Sequence, residues 1–140
     1  MIPVSRPAAP TPRNVRTVHG AMVIGVVLFA IVAHFVLVPK ADPAGGLALL
    51  VPALLGVALA MCAVAILLST RVPRQSGGEA LEAYWRRNAP RAMIPWALLE
   101  GAALFSVVVY SQTASRAAIA IALVAVIIFG LMNPGYFERR

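Results

Sequence analysis

The chain has 140 residues, of which 61% are hydrophobic and only 12% charged, and its mean hydropathy is +0.86. A soluble domain usually carries about 25% charged residues, so this composition excludes an ordinary soluble globule and points to a membrane protein. The net charge of +7 does not mark a nucleic-acid binder, because the arginines flank apolar segments and build no separate basic domain.

Residues 1–16, "MIPVSRPAAPTPRNVR", hold four prolines and three arginines and read as an extended cytoplasmic arm. Four apolar runs follow, at 17–38, 45–69, 92–111 and 115–133. Each approaches the roughly 20 residues needed to cross a bilayer, so the region 17–133 is expected to be an all-α bundle of four transmembrane helices arranged as two hairpins. The first run is too long for the apolar core of a signal peptide and no A-x-A site follows it, so it reads as an uncleaved anchor. Between the second and third runs, "TRVPRQSGG" is a turn, and "EALEAYWRRNAPR" contains a short amphipathic helix over 79–88. Its Leu81, Tyr84 and Trp85 share one face. Together with Trp96, the aromatic pair Tyr84 and Trp85 is expected at the membrane interface. Residues 134–140 form a short tail.

Lysine and arginine counts set the orientation. Arg6, Arg13 and Arg16 precede the first helix, Arg71, Arg74, Arg86, Arg87 and Arg91 lie in the middle loop, and Arg139 and Arg140 end the chain; only Lys40 and Arg116 fall in the other two loops. Ten against two places both termini and the middle loop in the cytoplasm, with the chain in a bacterial inner membrane.

Glu100 is the one charged residue between Arg91 and Arg116. A charge deep in a bilayer costs at least about 2.5–3.5 kcal/mol on insertion scales, so acids there mark ion sites or paired contacts. Ala97 and Gly101 form a small-xxx-small pair beside it, which lets another helix approach, and Ala118 and Ala122 continue a similar four-residue repeat from Ala114 into the fourth helix. His19 is the candidate partner for the acid, since both lie toward the cytoplasmic side. His34 sits fifteen residues further along the same helix, so the two histidines cannot share a metal within one chain. Pro52 is expected to kink the second helix and Pro95 to sit in the first turn of the third. Cys62 has no intrachain disulfide partner and reads as a packing residue. The sequence carries no Walker loop, HExxH, CxxC or G-x-S-x-G motif, so neither an enzyme activity nor a metal or cofactor is expected.

"EAYWRRNAPRAMIPWALLEGAALFSVVVY" and the closing "NPGYFERR" resemble a widespread group of small four-helix bacterial membrane proteins with an "ALLEGAALF"-like third helix. That resemblance spans nearly the whole chain and implies topology without an assigned activity. Locally, "ALLEGAALFSVVV" is similar to the outer helix of the rotor-ring proteolipids of ion-driven ATP synthases, where the acid matching Glu100 carries the proton or sodium ion. The glycine-repeat helix of those proteins is absent here, and "RRNAPR" departs from their polar loop. Four-helix multidrug exporters use an acid in the first helix, which this chain lacks. Two expectations follow. The first is a non-catalytic packing or accessory subunit, partnered by the lipid bilayer, by copies of itself or by a larger membrane complex. The second is proton or cation translocation using Glu100.

Overall fold

The structure, a computed structural model, describes residues 10–38 and 49–138, and every regular element among them is helical. Arg6, Lys40, Arg139, Arg140, most of the expected arm, the first outer turn and the start of the second run at 45–48 lie outside the described residues. The elements are α1 (Pro12–Val32, continued by a π-helical turn over Ala33–Leu37), α2 (Val51–Ser69), α3 (Leu81–Thr113), α4 (Arg116–Leu131) and a single turn, α5 (Pro134–Phe137). Three helices are long and apolar enough to cross a membrane, and α4 is a shorter apolar one.

Four sequence expectations, including Pro95 in the first turn of the third helix, are corrected by local chemistry. The helix of the first run begins inside the expected arm: Thr11 Oγ1 accepts the Asn14 N–H at 3.2 Å and Pro12 occupies the first turn, where its missing donor is harmless. Pro52 likewise falls in the first turn of α2 and interrupts nothing. The expected interfacial helix 79–88 is not a separate element. It and the 92–111 run form one helix of 33 residues, with Pro90 and Pro95 both in its interior. An interior proline costs about 3 kcal/mol. Both are flanked by side chains locked into the protein, since Trp85 and Trp96 are each 0% exposed, and this packing offsets the broken ladder. At a rise of about 1.5 Å per residue α3 is roughly 50 Å long, against about 30 Å of bilayer hydrocarbon. Its N-terminal turns therefore extend beyond the other helices' apolar zone.

α3 is the central post, packing against α1, α2 and α4. Among the described residues, α1 and α2 pack on α3 and α4 rather than mainly on one another, whereas the expected N-terminal hairpin would make them close neighbours. The C-terminal pair is a tight hairpin: Ala114 takes the left-handed conformation (φ 53°) to end α3, and Ser115 opens α4.

Each outer helix buries one narrow seam. In α2 it is Leu55, Ala58, Cys62, Ala65 and Ser69, spaced alternately three and four residues as in coiled-coil contacts. In α4 it is Ala118, Ala122, Ala125 and Phe129. Small residues dominate both seams, so the helices approach closely through contact rather than through large side chains. The remaining apolar surface faces outward, including Ile24, Leu28, Phe35, Val57, Leu67, Leu123 and Ile127, each more than two-fifths exposed. A soluble monomer rarely exposes a continuous apolar belt of this kind.

Candidate functional site

Two clusters of polar and aromatic side chains sit at opposite ends of the bundle, with Glu100 between them. The first occupies the basic end, where α1 and α3 begin and α2 and α4 finish. α4 stops there because Asn133 and Pro134 follow it, and its last carbonyls need donors from elsewhere. His19 of α1 donates from Nε2 to the Phe129 carbonyl (3.1 Å), and Trp96 of α3 donates from Nε1 to the Met132 carbonyl (2.7 Å). The His19 ring stands edge-on to both Trp96 and Phe129, with centroids 4.8 and 4.9 Å away. Three helices are thus joined at the frayed end of one of them.

The tail closes this cluster. Phe137 is 1% exposed and lies 6.2 Å from Trp96. Its carbonyl accepts the Gln75 N–H at 3.0 Å. Glu138 accepts from Trp85 Nε1 (2.9 Å) and pairs with Arg16 (2.6 Å). Tyr84 donates its hydroxyl to the Pro73 carbonyl at 2.7 Å. Tyr84, Trp85 and Trp96, expected at the membrane interface, are all buried within the protein itself. The aromatic face of the predicted amphipathic helix is covered by the chain's own loop and tail.

Burial, and then the nearby charges of Glu79 and Glu138, push the Tyr84 phenol up to about 12. Because the folded-state value lies above the ordinary value of 10, the protonated phenol contributes its full share of stability below pH 10 and loses it as pH rises through about 12. The alkaline arm of a stability–pH curve should therefore carry a step in that window which Tyr84→Phe removes; an unchanged curve in the variant would contradict the assignment.

The second cluster lies at the far end. His34 Nδ1 and the Tyr110 hydroxyl share a 2.7 Å hydrogen bond, with the rings stacked nearly parallel at 6.1 Å. His34 sits in the π-turn Ala33–Leu37, whose extra residue re-aims the end of α1. Nothing in the sequence singled out Tyr110, because the pairing depends on the relative heights of α1 and α3.

Glu100 is half-buried. With about 100° between successive residues, it stands at the border between the buried face of α3 (Trp96, Leu99, Ala103) and the open face (Ile94, Ala97, Val108). Among the described residues it has no hydrogen bond or ion pair. His19, its expected partner, makes no hydrogen bond to it among the described residues and instead donates from Nε2 to the Phe129 carbonyl. Ala97, expected in a helix contact, is exposed, and nothing among the described residues covers it. Gly101 is half-buried, and a Cβ there would stand 2.9 Å from Met61 Cε of α2, so the glycine admits that methionine. Ala118 is buried near Leu55 and Tyr110, and Ala122 near Ala33 and Val107. No three His, Cys, Asp or Glu side chains among the described residues are grouped as metal ligands would be. Compared with known proteins, the chain matches no family model, no curated protein and no solved structure.

Proposed function

We propose that the chain is an integral protein of a bacterial inner membrane, with both termini and the 70–91 loop cytoplasmic, and that it acts without catalysis of its own as a packing or accessory subunit. Its contact face is the open side of α3 around Glu100. Four apolar helices with an outward apolar belt support membrane embedding, and the ten-to-two split of basic residues supports the orientation. The observation that carries the functional reading is the contrast between Glu100 and the other polar groups near α3. His19, Trp85, Trp96 and Tyr110 find partners within the chain, whereas Glu100 has none among the described residues and borders an exposed alanine. An acid in apolar surroundings requires a partner, and Ala97 leaves room for a second backbone to bring one. That helix belongs either to another copy or to a larger complex.

Ala97→Leu fills that space without touching the chain's own core. Overpacking costs about 1–3 kcal/mol, so association measured in mild detergent should weaken by about tenfold or more, since 1.4 kcal/mol is one decade. Wild-type protein that runs only as a monomer and retains no partner on affinity capture would sink the proposal.

One observation favours a second reading, proton or cation translocation. Glu100 is partly open at the edge of an apolar face, where a carboxyl can be loaded and unloaded. In that case dicyclohexylcarbodiimide should label Glu100, and Glu100→Gln should abolish ion flux in proteoliposomes while leaving association intact. An unreactive carboxyl together with unchanged flux would reject this reading.

A further inference from the structure

The basic end also carries surface arginines that the aromatic cluster does not use. A cleft of about 510 Å³ opens between the 70–80 loop and the first turns of α3, lined by Arg74, Arg87, Arg91, Asn88, Tyr84 and Glu79. Glu79 is the single acid in it, and it pairs with Arg87. Arg74 lies over the Tyr136 ring at 5.3 Å, which orients its guanidinium without neutralising it. Arg91 makes no ion pair among the described residues. Among the described residues, the cleft therefore keeps two guanidinium groups without an ion-pair partner.

A second cleft of about 290 Å³ adjoins it, lined by Leu68, Val72 and Ile94 together with Arg71 and Arg91. Arg91 borders both. A polar compartment with excess positive charge thus runs into an apolar groove between the end of α2 and α3. The two compartments ask for an amphipathic ligand with an anionic head and a hydrocarbon tail.

We propose that this double cleft binds one anionic phospholipid, with its phosphate between Arg74 and Arg91 and an acyl chain along Leu68 and Ile94. Charge complementarity selects the head, because a guanidinium fork bonds phosphate oxygens two at a time. The change from polar to apolar lining selects a lipid over a free anion. The proposal rests on the membrane embedding inferred above, and basic clefts on the cytoplasmic side of membrane helices suit anionic headgroups.

The test is native mass spectrometry of the full chain released from bilayers of phosphatidylcholine with a minority of phosphatidylglycerol. One phosphatidylglycerol should remain on each chain. The double variant Arg74→Gln/Arg91→Gln should reduce its retention by about tenfold, as expected for loss of a paired charge-assisted contact. The charge-matched control Arg13→Gln/Arg86→Gln, on arginines outside both clefts, should change it by less than about twofold. Arg91→Gln alone, at an exposed residue shared by both compartments, keeps the question answerable if the double variant misfolds, and should show a clear partial loss. Equal losses in cleft and control variants would overturn the proposal in favour of diffuse surface attraction. Absence of retained lipid would overturn it outright, and so would displacement of the lipid by inorganic phosphate alone, which would mark a free-anion site. Release of the protein from membranes by alkaline carbonate would instead refute the membrane embedding, so the two failures are distinguishable.

Discussion

Trp96→Ala is expected to lower the unfolding free energy in detergent by about 3 kcal/mol, the lower edge of the range for removing a buried tryptophan. The lower edge applies because lipid or detergent gives little hydrophobic reward for burial, leaving van der Waals contact as the main loss. That contact is extensive. Trp96 is 0% exposed and packs against His19, Trp85 and Phe137, with ring centroids between 4.8 and 6.3 Å. Its indole N–H also satisfies the Met132 carbonyl at 2.7 Å. Trp96→Phe separates the two contributions, since it keeps most of the ring and loses the donor. Hydrogen bonds of this kind contribute about 1 kcal/mol, so the phenylalanine variant should retain most of the stability. If it is as damaging as alanine, the capping of α4 matters more than packing. A loss below about 1 kcal/mol for Trp96→Ala would contradict the role assigned to this cluster.

Phe137→Ala should cost about 3–5 kcal/mol and free the tail for proteolysis at the basic end. Phe137 is 1% exposed, and the backbone around it joins the loop through Gln75. Its neighbour Glu138 offers a graded comparison. Glu138→Gln retains an acceptor for Trp85 and removes the ion pair with Arg16, whose side chain is 58% exposed. Pairs open to solvent in this way contribute about 0–1 kcal/mol, so the amide should be nearly neutral. Glu138→Ala leaves the buried Trp85 N–H without its acceptor and should cost about 1–3 kcal/mol. Denaturant titration with protection of the tail from protease checks all three variants. A stable Phe137→Ala protein with a protected tail would show that the tail is held by something other than this side chain.

The four apolar helices were legible because a run of about 20 apolar residues has one dominant solution in a bilayer-like setting. The extent of α3 was not. Glu82, Arg86, Arg87, Arg91, Pro90 and Pro95 read locally as a break, yet the helix continues through them, and its first turns are held by a distant tail and loop that cover Tyr84 and Trp85. Glu100 was legible as an anomaly, and helical face arithmetic placed Ala97 and Gly101 beside it. The arithmetic could not tell which of them the chain covers, since that depends on where Met61 of α2 arrives. His19 was matched to the wrong group. Its actual acceptor is a backbone carbonyl 110 positions away, and backbone carbonyls have no residue-type signature. The His34–Tyr110 bond escaped notice for a related reason, because it spans 76 positions and depends on a local widening of α1.

The placement of α3 between α1 and α2 has a consequence in the order of synthesis. A chain is made from its N-terminus, and helices that pack on each other can assemble as they emerge. Here α1 and α2 emerge first and find few contacts with each other. Both lack their main packing partner until the post between them is translated. The ion pair of Arg16 with Glu138, 122 positions apart, then joins a segment made near the beginning to one made near the end. The fold therefore closes only after most of the chain has been made. During that interval its unpacked seams, including the small-residue stripe of α2, remain without their native partner.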